Sequence, residues 1–272
     1  MTDLFRKDGP VEGDTIIVWF SNGAASAVAW QETLKRYGNL CQVVAVNNPV
    51  AEEDEDNLRF ARDVSEWLGR DLIYWRNPRW PNASTIEVWE KERGMCFPHG
   101  APCTKHLKRL AREDYERKHR VDWHVFGFTV EERDRHERFV LGERSNVIPV
   151  LIDAGLTKQQ CYDRLISEGI LPPRMYEWGY PNANCPGCVK SQSATYWNHT
   201  RKVHPAVFRQ RAEQSRRLGV RLVRHKGKRI FLDELPPDAV GRPLKTMKMP
   251  DCGIFCEERP SRRRQPQLEA AE

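Results

Sequence analysis

An α/β chain built on a parallel sheet with flanking helices is expected from three observations. Short apolar, β-branched runs recur in the first part of the 272 residues, at 15–20 (TIIVWF), 40–47 (LCQVVAVN) and 72–76. Segments with helical spacing of their apolar residues separate them, at 23–36 and 54–68, the second ending at Gly69. Strand and helix in alternation need crossover connections, and right-handed crossovers give a parallel sheet with helices on its faces.

Residues 15–20 are an uninterrupted apolar run, the mark of a strand buried on both faces. Ser84 and Glu87 form a capping box that starts a short helix. Residues 104–117 are read as one helix with a charged outer face, and 122–128 (DWHVFGF) and 146–150 as the remaining strands. Thr157 and Gln160 make a second capping box. Residues 171–184, rich in Pro, Gly, Tyr and Asn, are irregular; Cys185-Pro186-Gly187-Cys188 follows, then a helical stretch through Trp197 and another over 204–218. Residues 221–232 (RLVRHKGKRIFL) are a hairpin turning at Lys226, Gly227 and Lys228. Pro and charge dominate from Leu235 onward, and no internal repeat occurs. The chain thus divides into an α/β domain (1–155), a cysteine-containing helical extension with a hairpin (156–234) and a Pro- and charge-rich tail with a cysteine pair (235–272).

A composition of 39% hydrophobic and 30% charged residues supports a core and argues against disorder. The net charge of +6 permits an anionic partner without naming one, and Arg262, Arg263 and Arg264 supply part of it. No apolar run approaches the ~20 residues of a membrane helix. Residues 1–14 are charged and lack the apolar stretch of a signal peptide. A soluble, cytoplasmic protein with no membrane partner is expected. In a reducing compartment its eight cysteines favour metal binding or catalysis over disulfides.

The loop after the first strand reads Ser21-Asn22-Gly23-Ala24-Ala25-Ser26. Parallel sheets bind ligands at the carboxyl ends of their strands, where this loop lies. Its small residues leave room for a close ligand, backbone N–H groups at a helix start favour an anion, and Ser21 and Ser26 offer hydroxyls. The same small residues also suit tight helix–sheet packing. The absence of a lysine excludes a Walker loop, and a single glycine excludes the dinucleotide fingerprint.

The pattern Ser-x-Gly-x-x-Ser resembles the PP-loop (SGGxDS) of the adenine nucleotide alpha hydrolase superfamily, whose sheet is Rossmann-like. Ser21, Gly23 and Ser26 match, Asn22 replaces a glycine and Ala25 replaces the aspartate. Pyrophosphatase members usually carry that aspartate, whereas PAPS reductases have degenerate loops. Segments 100–103 (GAPC), 127–132 (GFTVEE), 184–190 (NCPGCVK) and 196–198 (YWN) occur in the order seen in a phage-associated group labelled PAPS reductase-like. The likeness spans roughly residues 15–210. It implies an adenine nucleotide (PAPS, APS or ATP) held by the 21–26 loop, with Gly127, Glu132 and Arg135 at the ligand. Without the resemblance, Glu132 and Arg135 read as part of a charged helix.

Cys185-Pro-Gly-Cys188 lies in a turn that points two thiolates at one metal. Taken alone, it is equally a redox dithiol or half of a zinc site. Cys96 and Cys103 form a second loop-borne pair, among Pro98, His99, Gly100 and Pro102. APS reductases hold a 4Fe–4S cluster on a comparable arrangement, so the resemblance implies a cluster on Cys96, Cys103, Cys185 and Cys188, with zinc as the alternative. The first pair here is spaced rather than adjacent. His99 and His106 are substitute ligands or surface histidines. Asp251-Cys252-Gly253-Ile254-Phe255-Cys256 resembles the ECGIH or ECGLH tail of sulfonucleotide reductases. That likeness implies Cys252 as nucleophile and Cys256 as resolving thiol; a zinc-binding tail pair is the alternative. Cys41 and Cys161 belong to the core.

Three functions follow. The first is a PAPS reductase-like enzyme using a thiol reductant such as thioredoxin. The second is an ATP-dependent sulfur transferase acting on nucleic acid, with Trp178, Tyr180, Tyr196, Trp197, Arg201 and Lys202 as the nucleic-acid face. The third is a nucleotide-binding module with structural zinc and no turnover.

Overall fold

The computed structural model describes residues 9–98 and 100–244. Five strands, β1 (Thr15–Trp19), β2 (Gln42–Asn47), β3 (Leu72–Tyr74), β4 (Trp123–Val125) and β5 (Val147–Ile148), form one sheet. Their order is β3-β2-β1-β4-β5 and every pairing is parallel. The chain builds outward from β1 through β2 to β3, then returns to pair β4 with the other side of β1. The strand order therefore reverses between β1 and β4, where such sheets open a crevice at their carboxyl ends.

The helices are α1 (Ala24–Tyr37), α2 (Asp56–Leu68), α3 (Thr85–Glu92), α4 (Leu110–Lys118), α5 (Arg133–Gly142), α6 (Val150–Asp153), α7 (Lys158–Ser167), α8 (Ala194–Val203) and α9 (Pro205–Arg217). Alternation along β1 feeds two cores. Ile16 and Val18 join Trp30, Phe60 and Val64 on one face of the sheet. Ile17 and Trp19 join Tyr115, Phe126 and Phe139 on the other. Burial on both faces is why β1 carries no polar residue after Thr15.

The core does not divide at residue 155. Cys161 and Leu165 of α7 are buried with Trp30 of α1, and Arg164 donates to Glu32 and Gln31 across that contact. A third core joins Trp89, Met95 and Leu107 to Cys185, Cys188, Trp197, Phe208 and Leu232. The second half of the chain is thus packed against segments of the first.

Several elements differ from expectation. The fourth strand ends at Val125 rather than 128, because the Phe128 N–H turns back to the Phe126 carbonyl at 2.8 Å. The single helix expected over 104–117 is instead a stretch of π-helix, Thr104–Arg109, running into α4. Residues 185–193 contain turns, and the helix there begins only at Ala194. The hairpin forms as expected: β6 (Val223–His225) pairs antiparallel with β7 (Lys228–Ile230). Among the described residues no helix is long and apolar enough to cross a membrane.

Candidate functional site

Ser26 knots the loop that joins β1 to α1. Its Oγ accepts from the Ser21 N–H at 3.1 Å and the Gly23 N–H at 3.3 Å, and donates to the Gly23 carbonyl at 2.8 Å. The Ser21 hydroxyl lies 3.2 Å from the same oxygen. A short polar side chain at the third position of α1 therefore fixes the turn that precedes the helix. No acidic residue stands in the first turn of α1, so its positive end faces the loop uncompensated by a carboxylate of its own.

Gly127, just past β4, closes the loop from the other side of the strand-order reversal. A Cβ at this position would stand 2.8 Å from the Ser26 nitrogen and 3.0 Å from the Ala25 carbonyl carbon. Both neighbours are backbone and cannot yield, so glycine is required for the close approach.

Between these walls lies a solvent-open cleft with a cavity volume of about 170 Å³. Of the residues expected at the nucleotide, Ser21, Gly23, Ala24, Ser26 and Gly127 line it, together with Ala25. Lys158, Gln159 and Tyr162 from the start of α7 also line it, as do Tyr176, Pro181 and Asn182 from the irregular segment. None of these six was expected. Thr157, the cap of α7, accepts from the Gln160 N–H at 3.1 Å, and Gln160 Oε1 accepts from the Thr157 N–H at 2.8 Å. That capping box was legible; the direction in which it aims Lys158 depends on how α7 packs across α1. The rings of Tyr162 and Tyr176 meet edge to face at 5.9 Å.

Three expected ligand residues stand elsewhere. Asn22 adopts a left-handed backbone at φ 58° and is buried, its Nδ2 donating to Glu53 Oε2 at 3.3 Å. Its side chain is spent on the protein and does not line the cavity. Glu132 and Arg135 pair with each other at 2.7 Å, behind rather than on the cavity wall. Lys158 links them to it, its Nζ lying 3.7 Å from Glu132 Oε1. The Arg135 guanidinium sits over the Phe128 ring at 5.7 Å, and its Nε and Nη2 are buried without a hydrogen-bond partner.

Glu53 connects the loop to the cysteines. Its Oε1 accepts from Lys108 Nζ at 2.9 Å, and Lys108 also donates to the Asn48 carbonyl at 2.5 Å. Lys108 belongs to the π-helical stretch whose N-terminal cap is Cys103.

Cys103, Cys185 and Cys188 are buried in one cluster, with Cys96 partly exposed nearby in sequence. Gly187 turns the Cys185–Cys188 segment at φ 66°, with Val207, Arg211 and Trp197 packed against it. The Cys188 N–H donates to the Tyr196 hydroxyl at 2.7 Å. Arg211 is 1% exposed, its Nε has no hydrogen-bond partner, and its guanidinium lies 4.6 Å from the Trp89 ring centre. Burial lowers its pKa, opposed by the charges of Cys185, Glu52, Cys103 and Cys188. Thiolates are the ligand type a thiophilic metal takes, and Arg211 is a buried cation close enough to feel the charges of three of them. Among the described residues, no three His, Cys, Asp or Glu side chains stand together as a metal-holding group. His99, Cys252 and Cys256 lie outside the described residues.

Burial pushes the Cys161 thiol up to about 12 and raises Cys41 as well, in keeping with inert core cysteines. The aromatic nucleic-acid face is corrected by the structure: Tyr180, Tyr196 and Trp197 are 4%, 2% and 0% exposed. They pack the cysteine core, and Arg201 is turned inward to the Leu235 carbonyl at 2.7 Å. Tyr196 and Trp197, with Ala194 and Thr200, make the buried side of α8.

No family model and no curated protein matches this chain. Among solved structures, it is similar to phosphoadenylyl-sulfate (PAPS) reductase from Candida auris in a phosphate complex. That likeness has 11% identity over 65% of this chain and 82% of the other, with a TM-score of 0.45. It is also similar to the U34-tRNA thiolase NcsA from Methanococcus maripaludis with its 4Fe–4S cluster. There the identity is 14% over 79% of this chain and 75% of the other, with a TM-score of 0.41. Both likenesses are distant, and neither transfers an activity.

Proposed function

We propose that this chain is an enzyme of sulfur chemistry that binds an adenine sulfonucleotide, PAPS or APS, in the cavity between β1 and β4. The observation that carries the reading is the cavity's wall. The Ser26-knotted start of α1, Gly127 against its backbone and Lys158 opposite surround a space with no Asp or Glu among its described lining residues. Backbone N–H groups at the helix start receive the phosphate, Lys158 neutralises the anion, and Tyr162 and Tyr176 offer aromatic surface to the nucleoside.

The same wall favours a sulfonucleotide over ATP. Magnesium on a nucleotide is held by one or two carboxylates together with the phosphates, and Ala25 stands where PP-loop pyrophosphatases have their aspartate. The runner-up, ATP-dependent transfer of sulfur to nucleic acid, shares the loop and the cysteines but lacks that carboxylate.

In the proposed reaction the Cys252 thiolate attacks the sulfonate sulfur. A sulfur–sulfur bond forms, the sulfur–oxygen bond to phosphate breaks, and the nucleotide leaves. Cys256 then attacks Cys252 Sγ, giving a disulfide and releasing sulfite, and a dithiol protein such as thioredoxin reduces the disulfide. Cys96, Cys103, Cys185 and Cys188 would hold a 4Fe–4S cluster or zinc, which would tie the 96–103 and 185–188 segments together. Arg211 then balances the thiolates in a buried setting.

The test is sulfite release from PAPS and from APS in the presence of thioredoxin, run beside pyrophosphate release from ATP with RNA or DNA. Thiol-dependent sulfite that disappears in Cys252→Ser supports the reading. Pyrophosphate without sulfite replaces it with the runner-up, and tight binding with neither product leaves the non-catalytic module.

A further inference from the structure

The β6–β7 hairpin carries a concentration of charge that the proposed reaction does not use. Residues 221–229 read RLVRHKGKR, and Arg221, Arg224, Lys226, Lys228 and Arg229 are all exposed. Their neighbours are neutralised: Arg216 pairs with Asp233 and Glu234, and Arg217 with Glu90. None of the five hairpin cations pairs with a carboxylate among the described residues. Arg229 Nη1 donates instead to the Arg221 carbonyl, and the Arg221 guanidinium lies over the Phe231 ring.

The register adds a second observation. Arg224 pairs directly with Arg229 across the ribbon, and like charges directly opposite each other destabilise a sheet. One face, through Val223 and Ile230, packs on the core; the other presents this arginine pair to solvent. Two exposed arginines at one register position, with no carboxylate paired to either among the described residues, concentrate positive charge that an external anion can balance.

The hairpin is also fastened beside the cysteines. The Arg224 N–H donates to the Gln192 carbonyl at 2.9 Å, and Ser193 bridges to Arg224, only a few residues beyond Cys188. Leu222 and Val223 are buried in the same core as Cys185 and Cys188.

We propose that the exposed face of the β6–β7 hairpin is a docking surface for the phosphate backbone of duplex DNA. Clustered cations not neutralised by a carboxylate match the dense line of phosphates on a duplex, and their binding is driven by counterion release. Recognition of single-stranded nucleic acid relies on aromatic side chains that stack unpaired bases. The hairpin's exposed residues include none. The proposal is independent of the nucleotide reading, because the hairpin and the β1–β4 cavity share no residue.

Full-length protein is titrated against a labelled DNA duplex at several salt concentrations, with no nucleotide present. Duplex DNA binds the unmodified chain, and the double variant Arg224→Gln/Arg229→Gln binds more weakly. Its plot of log affinity against log salt is shallower by about 1.8, as two phosphates are no longer neutralised. Arg70→Gln, an exposed cation outside the hairpin, leaves the slope unchanged. Circular dichroism of the double variant matches the unmodified protein, which separates removal of charge from unfolding. An unchanged slope in the double variant overturns the proposal. So does tighter binding to single-stranded DNA or duplex RNA than to duplex DNA, or binding confined to vesicles of anionic phospholipid.

Discussion

Gly127 stands against the backbone nitrogen of Ser26 so closely that a methyl group at 127 would lie 2.8 Å from it. Gly127→Ala therefore forces β4's exit loop away from the start of α1. Overpacking of this kind costs about 1–3 kcal/mol, and the displaced loop no longer closes the cavity. The expected outcome is a lower melting temperature and loss of nucleotide binding by calorimetry. Wild-type affinity in this variant would show that the nucleotide binds elsewhere.

Lys158 lines the cavity yet is exposed enough, at 45% of its side chain, to contribute little to the fold. Its replacement by Ala should weaken nucleotide binding about ten- to a hundredfold, the worth of a charged hydrogen bond, with the melting temperature unchanged. Equilibrium dialysis at two salt concentrations checks both the loss and its electrostatic origin.

Glu53 and Lys108 form an ion pair with only 9% and 5% of their side chains exposed. Removing the charge at one end leaves the other buried and uncompensated. Glu53→Gln should destabilise the protein by about 3 kcal/mol, read as a shifted denaturant midpoint. The double variant Glu53→Gln/Lys108→Met should recover part of that loss.

His124 sits in β4 at 3% exposure. Its Nδ1 accepts from Trp19 Nε1 at 3.0 Å. Burial, then Arg144 and Arg112, hold its pKa well below the usual histidine value of 6.5. Burial likewise lowers His136, His106 and His204. With the folded value depressed, the unfolded chain binds more protons below pH 6.5, so stability falls as pH drops from there towards the folded values. Melting curves between neutral and mildly acidic pH should show that fall. His124→Leu, though less stable throughout because Trp19 Nε1 loses its acceptor, should show a shallower slope.

Cysteine chemistry separates the core from the cluster. Cys161, with its thiol near 12, should resist alkylation in the native protein and react only on unfolding. Cys185→Ser and Cys188→Ser should lower the iron or zinc content of anaerobically isolated protein and abolish any absorption near ~400 nm from thiolate-ligated iron. Unchanged metal content in both would remove these cysteines from the metal site.

The loop between β1 and α1 was readable because its cause is local. A run of five residues buried on both faces ends at Trp19, and small residues follow before a helix. Ser21, Gly23, Ser26 and Gly127 could be placed from that pattern and from the next strand's end. Lys158, Tyr162 and Tyr176 could not, because their approach depends on α7 crossing α1 through Arg164 and Glu32, pairs 132 residues apart in sequence. Asn22 was misplaced for a similar reason: its partner Glu53 lies after the second strand. In α8 the spacing of Tyr196 and Trp197 was visible, but which face a helix buries is decided by its neighbours, here the Cys185–Cys188 turn and α9. The break between π-helix and α4 left no mark in the charge pattern of residues 104–117.

One carboxylate, that of Glu53, is grasped from two directions: by Asn22 in the loop between β1 and α1 and by Lys108 on the helix that Cys103 begins. The loop that would hold the ligand and the segment that carries a thiol consequently hang from a single peg. Neither can shift far without prising apart a buried charge, so the spacing between the loop before α1 and the helix that Cys103 begins is built as a fixed dimension of the protein.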